Sequence, residues 1–204
     1  MSLDAPRTIG HLAFDDTNTG TAGSWTLAGP ETLTLAGTSP SITVGSLGTG
    51  ASATIATTIT GSDGVTRAGN GTLTLTGSNS YTGGTTVNAG ALKGTIDSIC
   101  GDVQVASGAT VQFNATETGE ISNIIAGEGV LRLHLGSGVH TIMNNLGGVK
   151  GLIWVSNTGI PVTNKWSVTN SVSADAAVLL DPGSTIFVLG GQTASFSKGI
   201  TLSG

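Results

Sequence analysis

Two stretches of the chain are near-copies of one another at an offset of 40 residues. "TLAGPETLTLAGTS" (Thr26 to Ser39) lies over "TRAGNGTLTLTGSN" (Thr66 to Asn79), with Thr26/Thr66, Ala28/Ala68, Gly29/Gly69, the four residues of TLTL and Gly37/Gly77 in matching places. A looser copy, "IAGEGVLRLHLGSG", puts Ala126, Gly127, Gly129, Leu131 and Leu133 in corresponding positions, and "SGATVQFNA" and "PGSTIFVLGG" echo it. Each unit is a Gly, a spacer, then apolar residues at every second position. In "GTLTLTG", Leu73 and Leu75 share one face of a strand while Thr72, Thr74 and Thr76 share the other. Glycines at either end suit corners where the chain turns sharply. So short a strand has too little core of its own, but stacked on copies above and below it shares a continuous apolar column. The repetition predicts an all-β solenoid. Read as two rungs of about 20 residues, the offset gives roughly ten rungs along the chain.

Composition agrees. The 204 residues include 33 Gly and only 19 charged side chains, fewer than the threonines alone. Thr and Val favour extended backbone, and good helix formers are scarce. Further strands are read at "TIGHLAF", "SWTLAG", "SITVGSL", "ATIATTITG", "GGTTVNAGALKG", "DVQVA", "GVHTIMNNL", "GLIWVS", "KWSVTNSVS", "AAVLL" and "SFSKGITLSG". Their spacing also fits a β-sandwich, but a sandwich does not account for the copy at offset 40. No linker interrupts the pattern, so residues 1–204 read as one domain. "MSL" (residues 1–3) reads as an added start before an internal fragment, and "GITLSG" as a cut through a continuing pattern.

The charge balance narrows the partners. Net charge is −5 and the basic residues are not clustered, which argues against nucleic acid, whose binding depends on counterion release by Lys and Arg. No apolar run is long enough for a spanning helix, so no membrane insertion of this segment is expected. One cysteine, Cys100, excludes an internal disulfide framework.

The stretch "GVTRAGNGTLTLTGSNSYTGGTTVNAGALKG" resembles the autotransporter-associated β-strand repeat, also called the passenger-associated transport repeat. The family pattern is met in register by Gly69, Gly71, Thr72, Leu73, Leu75, Gly77, Asn79, Tyr81, Gly83, Thr85, Val87, Gly90 and Leu92, within residues 65–94. The segment "TIGHLAFDDTNTGTAGSWTLAG" is similar to what commonly precedes such a repeat. The resemblance implies a right-handed single-stranded parallel β-helix in the exported passenger of a Gram-negative autotransporter or related surface protein. It implies a repeat that helps the passenger fold and move outward, and a parent protein with a C-terminal β-barrel or other anchor. The implied location is the bacterial cell surface.

Candidate chemistry is sparse. Asp15 and Asp16 in "FDDTNTG" are adjacent and converge only in a turn, so a surface turn is the expectation. Arg132 and His134 lie on one strand face and, with Glu128 and His140, are the candidates for a small polar or metal site. The simpler reading makes them exterior residues opposite Leu131, Leu133 and Leu135. Glu117 and Glu120 read as a polar turn, and Cys100 as a small buried residue. Trp25, Trp154 and Trp166 are of a type that stacks sugars, but packing explains them as well. Asn79 is expected to cap a turn through backbone hydrogen bonds. Tyr81 is expected to lay its ring on a neighbouring rung and keep its hydroxyl in water.

The expected function is therefore a non-enzymatic structural or adhesive segment without cofactor or metal, its partner an extracellular polymer or a cell surface. The alternative is a carbohydrate-active β-helix enzyme of the polysaccharide lyase type. A third reading, an ice- or crystal-binding solenoid, needs the Thr-x-Thr pairs to align over successive rungs.

Overall fold

The structure is a computed structural model that describes residues 1–16, 23–115, 119–136, 139–142, 146–157, 164–168, 172–182, 184–188 and 193–202. Among these residues there is no helix, and every paired strand is parallel to its neighbour. The fold is an all-β parallel solenoid of about seven turns. The chain divides into two compact units, Met1–Val103 and Gln104–Gly204.

The first unit holds β1 (Arg7–Ile9), β2 (His11–Phe14), β3 (Trp25–Leu27), β4 (Leu33–Leu35), β5 (Ser41–Val44), β6 (Ala53–Ile55), β7 (Ile59–Thr60), β8 (Val65–Ala68), β9 (Thr72–Leu75), β10 (Thr85–Val87) and β11 (Ala91–Gly94). They stack as three sheets, β1-β4-β7, β2-β5-β8-β10 and β3-β6-β9-β11. The first three coils thus visit three faces, turning at the Gly-rich corners, whereas the fourth adds strands β10 and β11 to two of them. Alternation decides what points inward. Ala53, Leu73 and Leu92 are in register and fully buried, as are Ile55 and Leu75 beside them. Thr54, Thr74 and Lys93 fall between them on the outer surface, half-buried. Gly69 marks a corner where no side chain fits: its φ is +86°, and a Cβ there would run into the Val44 carbonyl of the preceding coil.

In the second unit the strands Thr110–Ala115, Val130–Leu135, Leu152–Asn157, Ala177–Leu180 and Ile200–Leu202 form one parallel sheet. Val111, Leu131, Ile153 and Val178 make one buried inward column, and Phe113, Leu133, Val155 and Leu180 make the next. Strands Gly119–Ile121, Val139–Ile142, Asn164–Val168 and Ser184–Val188 form a second face.

Two expectations need correction. The coils are not uniform: Trp25 lies beside Ala53 and His11 beside Ser41, whereas Ala91 lies beside Thr72. Coils longer than 20 residues at several positions leave room for about seven turns, not roughly ten. The two TLTL copies are also not two rungs of one face. Leu33–Leu35 pairs with β1 and β7, whereas Thr72–Leu75 pairs with β6 and β11. The motif is a local solution for a short strand after a Gly corner, and it serves whichever face the chain has reached. The two TLTL copies consequently do not stack on one another; Thr34 of the first lies instead beside Thr60, their hydroxyls 2.9 Å apart, and Thr74 of the second lies beside Thr54. Among the described residues no helix is long and apolar enough to cross a membrane.

Burial of the Leu column makes a direct prediction. Leu73→Ala should destabilise the chain by about 3 kcal/mol through lost transfer energy and a cavity. Thr72→Ala, one residue away on the outer face, should change stability by less than about 0.5 kcal/mol. Urea denaturation followed by circular dichroism measures both.

Candidate functional site

The densest polar structure in the first unit is built at the turn after β9. Asn79 sits between two neighbouring coils and bonds to each. Its Oδ1 accepts from the Ile59 N–H at 2.8 Å, and its Nδ2 donates to the Ser98 carbonyl at 2.7 Å. One amide side chain therefore bridges backbone groups 20 residues before and 19 residues after it. The expected turn cap is present, but it runs between coils and not within one.

Tyr81 follows two residues later, and here the expectation fails. It is only 2 % exposed, so its hydroxyl is dry. The hydroxyl lies 2.8 Å from Thr85 Oγ1 and accepts from the Cys100 N–H at 3.0 Å. Thr85 Oγ1 donates to the Cys100 carbonyl at 2.9 Å. With one proton on each hydroxyl, the only consistent assignment is a ring: Cys100 N–H to Tyr81, Tyr81 to Thr85, Thr85 to the Cys100 carbonyl. Both backbone groups of Cys100 are satisfied by side chains of the preceding coil. Burial raises the Tyr81 pKa to about 12, because the phenolate would be desolvated. Cys100 itself is half-buried, not fully buried as expected; its thiol reaches the Asn79 carbonyl at 3.1 Å, and burial pushes its pKa up.

Arg67 completes this region. It occupies an inward position of β8, in register with Ile42 on one side and Val87 on the other, and is fully buried. Its guanidinium donates to the carbonyls of Gly69, Gly71 and Ala89, while Nε has no partner. Burial lowers its pKa to about 10, which leaves it charged at neutral pH. Carbonyls from two successive corners thus converge on one cation. Gly90 makes this possible: its φ is +59°, and a Cβ there would come within 2.5 Å of the Arg67 guanidinium.

The passenger-associated-transport-repeat family pattern matches residues 65–93, the span that supplies Arg67, Asn79, Tyr81, Thr85 and Gly90. That span is similar to a passenger-associated transport repeat. Over its whole length it is also 27 % identical to the adhesin BmaC autotransporter of Brucella suis biovar 1 (strain 1330), across 221 aligned residues. The chain spans about 6 % of the length of that relative. No solved structure matches.

The other candidate residues lie apart from the repeat's corner. Asp15 is exposed, and its Oδ1 accepts the Asp16 N–H at 3.0 Å, the local bond of a surface turn. Arg132 and His134 share the outer face of Val130–Leu135, as expected. Both reach Ser156 Oγ at 3.0 Å, Arg132 through Nε and His134 through Nδ1. The Arg132 guanidinium lies 4.0 Å over the Trp154 ring, whose Nε1 donates to Asp181 Oδ1 at 2.9 Å. These side chains bond to one another across three coils, and Arg132 covers one face of the Trp154 ring. Glu128 is exposed, ahead of the strand Val130–Leu135. Glu120 lies on the strand Gly119–Ile121, not in a turn. Trp25 is 39 % exposed. Glu117 and the side chains of His140 and Trp166 fall outside the described residues. Among the described residues, no three His, Cys, Asp or Glu gather at metal-ligand spacing.

The sequence reading missed Arg67, Ser156 and Asp181. For Arg67 a signal existed: in "VTRA" it alternates with Thr66 and so shares the inward face with Val65.

Tyr81 gives the repeat a pH signature. Its folded pKa is above the usual value of 10.0, so the folded state holds a proton that the unfolded state releases between 10 and about 12. The stabilisation is fully present below pH 10 and is lost as pH rises through that window. Tyr81→Phe should cost about 1–2 kcal/mol at pH 7, because the Cys100 N–H loses its acceptor. The variant should also lose less stability than the parent chain between pH 9 and 11.5, measured by chemical denaturation at each pH.

Proposed function

We propose that the chain is a non-enzymatic structural and adhesive segment of the passenger of an autotransporter-like surface protein. The passenger crosses the outer membrane to the cell surface, and its parent protein carries a C-terminal β-barrel or other anchor. In this reading the repeat acts as a lock between coils that helps the passenger fold as it emerges. The observation that carries the reading is Asn79, whose side chain is satisfied only when the coils holding Ile59 and Ser98 are both in place. Each coil added closes hydrogen bonds left open by the one before, so folding that proceeds coil by coil is favoured over collapse at random. The Cys100 ring and the carbonyls around Arg67 add to the same stretch. The family match over the repeat and the likeness to an autotransporter adhesin support the location and the adhesive role. The partner is an extracellular polymer or another cell's surface, met by weak contacts repeated along a large protein. No cofactor enters this function.

Export tests it. In the full-length parent protein, Asn79→Ala should lower the amount of passenger at the cell surface severalfold, scored by antibody labelling of intact cells. Thr76→Ala, an exposed neighbour on the same turn, should leave it unchanged. Equal surface amounts for Asn79→Ala and the parent protein would remove the folding role from the repeat.

A further inference from the structure

The outer surface of the first unit carries an open groove of about 390 Å³ alongside β9. Thr72 and Thr74 form its floor, with Lys93 on the next coil directly beside Thr74. The segment before β6 forms one wall and supplies Ser46 and Ser52, and Asn70 closes the corner. Six polar side chains thus face one depression whose volume lies in the range of small-molecule sites. Lys93 is the only charged side chain among them. It is half-buried, and its ammonium makes no hydrogen bond or ion pair among the described residues.

We propose that this groove binds a uronic-acid-containing polysaccharide, with Lys93 taking the sugar carboxylate and the surrounding hydroxyls and amide taking ring hydroxyls. The inference rests on the adhesive reading above and names the chemistry of its partner. An ammonium at the edge of a polar groove, with no partner among the described residues, is placed to take an anion. The other polar side chains of the lining, Ser46, Ser52, Asn70, Thr72 and Thr74, both donate and accept, which suits the hydroxyls of a sugar. A single lysine on a chain of net charge −5 fits a polymer with sparse carboxylates, and it opposes densely sulfated chains, which need clustered cations. Thr74 and Lys93 lie side by side on successive coils about 4.8 Å apart, comparable to the length of one pyranose ring, so these two address neighbouring positions on an extended strand. No aromatic ring lines the groove, so each site is weak and adhesion depends on many of them.

The test is a titration of the isotope-labelled chain with a hyaluronan hexasaccharide, followed by amide NMR shifts. Shifts should concentrate at residues 46–52, 70–74 and 93, and binding should weaken as salt is raised. Lys93→Gln should weaken it about tenfold, and Lys93→Arg should retain most of it, both with an unchanged thermal melt. Neutral dextran oligosaccharides should bind at least fivefold more weakly. Absence of shifts in the groove, equal binding of dextran, tighter binding of dextran sulfate, or an unaffected Lys93→Gln would each overturn the proposal. Retention of protein-coated beads on cultured cell layers separates the two levels. Retained wild-type beads with undiminished Lys93→Gln beads sink the groove and leave adhesion standing; wild-type beads that are not retained sink the adhesive reading itself.

Discussion

The strands of the first unit are two to four residues long, and the fold follows from that limit. A strand so short cannot bury a face of its own, and its backbone groups find partners only in the coils above and below. Parallel in-register stacking satisfies both needs at once. It also makes each coil's stability conditional on its neighbours, because an end coil leaves donors and acceptors open. Whatever couples one coil to the next therefore governs the molecule more than any property of a single coil.

The transport repeat concentrates that coupling in side chains. At the corners the regular ladder is interrupted: some peptide groups still pair between coils, and others take side-chain partners. Asn79 supplies them on both sides, the Tyr81–Thr85 pair closes both groups of Cys100, and Arg67 gathers three carbonyls. Hydrogen bonds in a dry environment reinforce one another, so the Tyr81–Thr85–Cys100 ring acts as a unit. A buried arginine without a carboxylate is unusual because desolvating a charge is costly. Here the carbonyl dipoles of successive corners stand where a counter-ion would otherwise be, and Gly90 leaves the space for it. Replacing Gly90 by any residue with a side chain strains the backbone and displaces the cation together.

Much of this was legible in the residues, for a definite reason. Period-2 alternation reports which side of a strand a residue occupies, and it placed Leu73 and Leu75 together on the apolar face, which is buried. Alternation does not report which coil lies opposite, because "GTLTL" suits any face; hence the two TLTL copies were placed on one sheet when they occupy two. It also carries no information about how wet a hydroxyl is, so Tyr81 was expected to reach water when a second hydroxyl and a peptide group already complete it. Arg67 was passed over because its charge argued for the surface while its position argued for the core. Position prevailed, and the corner carbonyls of Gly69, Gly71 and Ala89 receive the charge. The cluster of Arg132, Trp154, Ser156 and Asp181 required register, which couples residues 22 to 27 positions apart and leaves no short motif to find.

The central claim is that single side chains of the repeat hold successive coils together. Amide hydrogen exchange on the Asn79→Ala chain tests it most directly. The account predicts that protection falls at Ile59 and around Ser98 to Cys100, on both neighbouring coils, while Leu73 and Leu75 in β9 stay protected. Unchanged protection at Ile59 and Cys100 would contradict it, as would a loss confined to residues next to position 79.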